Sequence, residues 1–309
     1  MKKCNMALFL VLLANLVSAQ YDYGLEICNQ DTKIEGKLNL NSSNRNVFIG
    51  TNAGINNQGG IPNSWDGARN TYVGNLSGSQ NTTGRYNTFI GESAGKNNTT
   101  GSFNSIFGTL SGELNNAESN SFFGYSSGQK NTIGEANTFI GGLSGQRNSE
   151  GNYNTFLGHD SGRKNTLGSN NVYLGFGAAY QCEECSSNVI IGYEARWSSS
   201  SGLNNTIIGY ESGNQSSGSN NVFIGYKSGF NEAGSNKLYI ENTNSSTPLI
   251  FGEFDNDKVQ INGSFHVTDF AKLQPRSNSP SNPEIGTIYF DSNDQKVKVY
   301  TSGGWQNLN

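Results

Sequence analysis

The chain has 309 residues and a formal net charge of −4, and only 33% of its residues are hydrophobic and 14% charged. Its 40 glycines and 46 asparagines favour turns and are poor in helix interiors, which excludes a helical protein. Two histidines and the acidic balance exclude a histidine-rich metal protein and a basic nucleic-acid binder. Aromatic residues make up 11% of the chain, which argues against disorder, so a turn-rich β protein is predicted.

Residues 1–19 have the pattern of a signal peptide. A basic start, Met1-Lys2-Lys3, precedes an apolar stretch from Ala7 to Val17 and a small-residue cleavage site before Gln20. The alternative is a membrane anchor, but the stretch is shorter than the ~20 apolar residues that a span requires. We therefore expect a protein that is secreted or held at the cell surface, with no transmembrane segment in the mature chain. Residues 20–45 are predicted to form an N-terminal cap.

A repeat covers most of the chain that follows. The pattern Asn-x-φ-φ-Gly, in which φ is a large apolar residue, recurs with a period of about 17 residues and one early insertion. Its glycines are Gly50, Gly74, Gly91, Gly108, Gly124, Gly141, Gly158, Gly175, Gly192, Gly209 and Gly225. A unit of this length is too short for a propeller blade but sufficient for one coil of two short strands and two turns. Residues 46–235 are therefore predicted to be an all-β, parallel β-solenoid of eleven coils.

The repeat glycines and asparagines suit the corners of such coils. Glycine supplies positive φ there without a clash at Cβ, and asparagine tolerates the same conformation. Asparagine amides can also bond to the coils above and below, as a ladder.

Two apolar rows run along the predicted strands, on opposite faces because neighbouring side chains of a strand alternate. The first row is Phe48, Tyr72, Phe89, Ile106, Phe122, Phe139, Phe156, Tyr173, Ile190, Ile207 and Phe223. The second row is Ile49, Val73, Ile90, Phe107, Phe123, Ile140, Leu157, Leu174, Ile191, Ile208 and Ile224. A thin coil has room for one row, so the other should be covered by a partner, most simply in a closed homo-oligomer. A coil wide enough to bury both rows is the alternative.

Units such as residues 87–103, Asn-Thr-Phe-Ile-Gly-Glu-Ser-Ala-Gly-Lys-Asn-Asn-Thr-Thr-Gly-Ser-Phe, resemble the YadA-like head repeats of trimeric autotransporter adhesins. They resemble the repeats of bacterial tail-fibre-like proteins more closely still, over residues 46 to about 235. The resemblance implies a left-handed β-roll and a homotrimer. The sequence departs from the autotransporter pattern in its longer period and in having no C-terminal coiled coil or membrane barrel segment.

The C-terminal part is divided into three segments. Residues 236–270 look like the transition segment of tail-fibre-like proteins, and residues 271–283, with three prolines, are predicted to be a linker. Residues 284–309 alternate as strands do and are predicted to be a small β-hairpin module.

The spacing of two cysteines favours a local disulfide bond over a metal site. In an exported chain, Cys182 and Cys185 are more readily interpreted as a local disulfide than as half of a metal site. Cys28 then remains, either free or bridging two subunits. We predict no catalytic residue, no metal and no cofactor.

Two surface features are candidate ligand-binding sites. Phe176, Tyr193, Tyr210 and Tyr226 each follow a repeat glycine and form a predicted ladder that could stack on sugar rings or simply on itself. Trp65 lies in the early insertion, where a loop on a rigid scaffold could carry recognition or be a plain surface loop.

These observations together favour an exported, non-enzymatic adhesive fibre that attaches to cells, glycans or matrix. A carbohydrate-binding or carbohydrate-cleaving spike is the alternative. An ice-binding rod is a weaker one, suggested by the interrupted row Thr71, Thr88, Thr138, Thr155 and Thr206.

Overall fold

The structure, a computed structural model, describes residues 45–58 and 65–308. The predicted signal peptide, Cys28 and nearly all of the predicted cap lie outside the described residues. The chain divides into two compact units, Met1–Asn137 and Thr138–Asn309. The fold is all-β: a parallel β-solenoid with about 17 residues per coil, followed by a small antiparallel sheet. The predicted fold class is confirmed.

The first unit holds five strands of three residues, which pair in parallel with their neighbours along the chain. They are β1 Val47–Ile49, β2 Thr71–Val73, β3 Thr88–Ile90, β4 Ser105–Phe107 and β5 Ser121–Phe123. The register places each residue beside its counterpart in the next coil, as in Tyr72 beside Phe89 and Val73 beside Ile90. Identical positions of the repeat therefore form columns.

The second unit continues this pattern and then ends it. Its strands are β6 Thr138–Ile140, β7 Thr155–Leu157, β8 Val172–Leu174, β9 Val189–Ile191, β10 Thr206–Ile208, β11 Val222–Ile224, β12 Lys237–Ile240, β13 Ile250–Glu253 and β14 Lys258–Ile261. Strands β6 to β12 pair in parallel, whereas β13 pairs antiparallel with both β12 and β14. The parallel ladder thus extends one strand beyond residue 235, because Leu238, Tyr239 and Ile240 keep the apolar spacing although the repeat asparagine and glycine are gone.

Each coil contains one strand, not the two that the repeat length suggested. The rest of the coil is a series of turns held to the next coil by backbone hydrogen bonds, such as Gly145 N–H to Ser161 O at 2.9 Å and Arg147 N–H to Arg163 O at 3.0 Å. Left-handed residues interrupt any extended backbone here: in one coil, Leu143 has φ of 61° and Gly145 has φ of 55°. Two left-handed residues so close together cannot lie in a regular strand.

The first apolar row is the core of the coils. Its members from Tyr72 to Phe223 are fully buried. Their rings stack along the column, as in Phe139–Phe156 at 4.8 Å and Phe156–Tyr173 at 4.5 Å between ring centroids. The second row points outward and stays half-exposed, so the coil does not bury both rows.

The repeat asparagines form ladders inside the coils rather than corners. Asn171 is fully buried; its backbone N–H donates to Asn154 Oδ1 at 3.0 Å, and its side-chain amide donates to the carbonyl of Cys185 at 2.7 Å. The predicted ladder is confirmed. The prediction that the repeat asparagines take the left-handed corners is wrong for buried members such as Asn81, Asn98 and Asn171, which do not have a positive φ. Left-handed positions belong instead to residues such as Leu143 and Tyr153.

The second unit also contains a three-stranded antiparallel sheet. It is formed by β15 Ile288–Asp291, β16 Lys296–Thr301 and β17 Gly304–Leu308. The predicted hairpin is present, and the final strand adds a third member. Lys298 Nζ lies 2.8 Å from Asp291 Oδ2, and the hydroxyl of Tyr289 donates to the same carboxylate at 3.0 Å.

Candidate functional site

The predicted aromatic ladder is present in the second unit as a continuous stack. Ring centroids are 5.2 Å apart for Phe176–Tyr193, 5.2 Å for Tyr193–Tyr210 and 5.4 Å for Tyr210–Tyr226, with nearly parallel planes. Each ring is 40–44% exposed. His159 extends the stack, since its ring lies 5.8 Å from that of Phe176. The parallel register of the coils produces this arrangement, because every member occupies the same position after a repeat glycine.

The stack orients its rings in a way that limits what they can bind. Because consecutive rings lie face to face along the column, the faces of Tyr193 and Tyr210 are covered by their neighbours. A sugar ring stacks on an exposed aromatic face. The inner members of the ladder therefore present ring edges and hydroxyl groups to solvent, which suits hydrogen bonding rather than sugar stacking.

Charged groups border the ladder on one side. A hydrogen bond with the Glu194 carboxylate raises the pKa of Tyr193, and one with the Glu211 carboxylate raises the pKa of Tyr210. Lys227 Nζ lies 3.2 Å from Glu211 Oε2. The hydrogen bond with Glu211 raises the pKa of Lys227, so the ammonium stays charged near neutral pH.

A second aromatic pair adjoins the ladder and was not predicted from the sequence. The rings of Tyr180 and Trp197 stack at 4.2 Å, and Trp197 lies 6.2 Å from Phe176. In other coils Gln146 and Arg163 occupy the same position of the repeat. Tyr180, Trp197 and Phe230 carry a ring there, but the intervening coil has Asn214, so no periodic signal marked the pair.

Trp65, in the first unit, is 54% exposed and is part of a small cluster. The Arg69 guanidinium lies 4.2 Å from the centroid of the Trp65 ring and 5.0 Å from that of Tyr86. Tyr86 in turn stacks on Phe103 at 5.1 Å. Cation–π contacts of this kind order the indole. Residues 59–64, which precede Trp65 in the insertion, lie outside the described residues.

The structure contains the predicted disulfide between Cys182 and Cys185, whose Cα atoms are 5.5 Å apart. Both residues are fully buried, at positions that Asn165 and Gly168 hold in the preceding coil. The substitution interrupts one asparagine column. Asn165 donates to Asn148 Oδ1 at 2.7 Å, but Asn165 Oδ1 has no partner, because Cys182 has no amide to offer it.

We expect a restored asparagine ladder bond to replace most of the stability that the disulfide supplies. Reduction, or the pair Cys182→Ser and Cys185→Ser, should lower the free energy of unfolding by about 2 kcal/mol. The pair Cys182→Asn and Cys185→Gly should recover most of that loss, because the new amide can donate to Asn165 Oδ1. Urea unfolding with and without reductant measures both effects. Equal stability of the two double variants would contradict the interpretation.

Within the described ranges, no three histidine, cysteine, aspartate or glutamate side chains are grouped so as to hold a metal ion. His159 Nδ1 lies 2.9 Å from Asp160 Oδ2, and Arg163 pairs with the same carboxylate at 3.0 Å. This arrangement orients a half-exposed imidazole at a coil corner.

In the part of the chain that the structure describes, no helix has the length and apolar character needed to cross a membrane. No known family model, no curated protein and no solved structure matches this chain.

Proposed function

We propose that this chain is an exported, non-enzymatic fibre protein that acts as a homotrimer and mediates attachment. The observation that carries the proposal is the outward apolar row of the solenoid. In the second unit its members Ile140, Leu157, Leu174, Ile208 and Ile224 are each 36–44% exposed, one per coil, in register along one face. We call this surface the apolar stripe.

Neighbouring side chains widen the stripe. Val172 and Val189 begin their strands, face the same side as Leu174 and Ile191, and are 39% and 36% exposed. A contiguous apolar surface of this kind marks an interaction site more often than a free surface. A partner that covers the stripe along several coils must present apolar groups at the spacing of the coils. Another copy of this chain does so, because its own stripe has the same spacing.

Copies with one such stripe each are satisfied by closed cyclic symmetry. The number three rests on the resemblance of the repeats to trimeric adhesin heads. The export step rests on the sequence of residues 1–19. The attachment role rests on the same resemblance, and the solenoid fold is compatible with it.

The solution mass of residues 20–309, measured by light scattering behind a sizing column, tests the assembly. We expect three times the monomer mass for the unmodified chain. The pair Leu157→Glu and Leu174→Glu should give a folded monomer, because it places carboxylates in the apolar stripe. Leu167→Glu is the matched control: Leu167 is 47% exposed but lies in a turn, so this variant should stay trimeric. A folded monomer for the unmodified chain, or equal dissociation of the control, would refute the proposal.

A further inference from the structure

A cavity of about 220 Å³ opens in the second unit where the parallel coils end. It lies between the turn that follows β11 and the loop that joins β12 to β13. The residues that line it are Gly229, Phe230, Asn231, Glu232, Tyr239, Asn244, Ser245 and Ser246. The cavity forms because the loop no longer follows the coil, so nothing in the 17-residue period indicated it.

Glu232 is held in a fixed position in the cavity wall. Its Oε1 accepts the backbone N–H of Gly234 at 2.6 Å, and its Oε2 accepts the hydroxyl of Tyr239 at 2.5 Å. Tyr239 is only 7% exposed, and burial together with the Glu232 carboxylate raises its pKa, so the phenol remains a donor. Each carboxylate oxygen keeps a further lone pair free for a ligand.

The other lining groups combine hydrogen-bonding and apolar chemistry. Asn231 and Asn244 bring amides that donate and accept, and Ser245 and Ser246 bring hydroxyls. Phe230 supplies an aromatic ring. Vicinal hydroxyl groups need donors and acceptors at close range, and the C–H face of a sugar ring packs against aromatic surface.

The charge and the size of the cavity restrict the class of ligand further. No lysine or arginine is among the described residues that line the cavity, so nothing there would neutralise a phosphate or carboxylate beside Glu232. The two nearby lysines have carboxylate partners: Lys227 lies 3.2 Å from Glu211, and Lys237 lies 3.0 Å from Glu253. The volume is below the ~300–1,000 Å³ of clefts that hold drug-sized ligands, so one ring fits and an oligomer does not.

We propose that this cavity binds one neutral sugar ring, which makes it the glycan-contacting site of the chain. The inference rests on the attachment role proposed above and names the ligand class and the place for it. The same ring could arrive as a free monosaccharide or as the terminal residue of a longer glycan. In both cases Glu232 accepts hydrogen bonds from ring hydroxyls while Phe230 packs against the ring.

Saturation-transfer NMR on residues 20–309 tests the site with a panel of methyl glycosides of glucose, galactose, mannose and N-acetylglucosamine. We expect at least one to show transfer, with affinity lowered about ten-fold or more by Glu232→Gln, because a charged acceptor is lost. Asn244→Ala, in an exposed loop where folding is not at stake, should weaken binding by several-fold. Glu150→Gln is the matched control, since Glu150 is an exposed carboxylate outside the cavity, and should change nothing.

Further arms separate the sources of the sugar and the alternatives. Di- and trisaccharides that end in the same ring should bind as tightly as the methyl glycoside if the terminal residue is recognised; loss of binding on extension would restrict the site to free sugars. Binding of butylammonium without binding of any glycoside would make the cavity a cation site and overturn the proposal. Absence of saturation transfer from every methyl glycoside would overturn it as well. The solution mass is measured on the same samples, so a trimer that binds no sugar refutes only the cavity, and a monomer that binds sugar refutes only the assembly.

Discussion

Gly141→Ala is expected to lower the free energy of unfolding by about 3 kcal/mol or more, among the largest effects of a single substitution in this chain. Gly141 follows β6 with φ of 129°, a conformation that residues with a Cβ rarely adopt. A β-carbon there would also lie 2.5 Å from the carbonyl oxygen of Gly158 in the next coil. That oxygen belongs to the backbone of a stacked coil, so neither side can move without breaking the register.

Gly142→Ala is the matched control, one residue along the chain. Gly142 does not have a positive φ, and a β-carbon there would meet only the imidazole of His159, at 3.0 Å. Because that side chain can turn aside, we expect a change within about 1 kcal/mol. Urea unfolding followed by circular dichroism, at one fixed protein concentration, measures both variants. If the two alanines cost the same, close contact between the backbones of adjacent coils does not explain the repeat glycine.

Phe156→Ala is expected to cost about 3–5 kcal/mol, the range for removal of a buried aromatic ring. Phe156 is fully buried between the rings of Phe139 and Tyr173. Coils of a solenoid contact only their neighbours, so a weakened coil loses its interface on both sides. We therefore expect the unfolding transition to broaden as well as to shift, because the two sides of the damaged coil lose their cooperativity.

Leu167→Ala provides the comparison for this substitution. Leu167 is 47% exposed in a turn, so the change should stay within about 0.5 kcal/mol. Calorimetry alongside the urea titration distinguishes a shifted transition from a broadened one. A Phe156→Ala protein that unfolds with the same midpoint and slope as the unmodified chain would show that the inner ring column does not hold the coils together.

The period, the parallel register and the alternation of the two rows could be predicted because each follows from a repeated local rule. Two adjacent large apolar residues, repeated every 17 residues, leave few other ways to bury Phe139, Phe156 and Tyr173 in one column. The same rule placed Tyr193, Tyr210 and Tyr226 one coil apart. It did not show which way their rings face, since that depends on packing between neighbouring side chains.

Departures from the repeat were the part that the sequence could not predict. Arg196 would be expected at the surface, yet it is fully buried inside a coil, where Asn188, Ser199 and the carbonyl of Ser201 accept its hydrogen bonds. Burial lowers the pKa of its guanidinium to about 10. Its coil has Ile190 where most coils have a ring, which leaves space for the longer side chain.

For the candidate sites, too, the sequence predicted the positions of residues but not their contacts. The positions of Trp65 and the ladder were visible as exposed aromatics in regular or inserted sequence. The contacts of Arg69 with Trp65 and Tyr86 depend on side-chain placement between coils and gave no pattern. The cavity beside Glu232 depends on where the loop after β12 leaves the coil. Loss of the 17-residue period shows where the regular coils end, but it does not show which structure follows them.

The reversal of strand direction after β12 affects whether molecules can associate end to end. A parallel solenoid that ended in an open coil would offer its last strand as a template on which the first coil of another molecule could dock, and repeated docking would build a filament. Here β13 and β14 pair antiparallel, so an incoming coil would meet a different hydrogen-bond pattern and no matching turns. Addition of a further parallel coil at this end is thereby disfavoured.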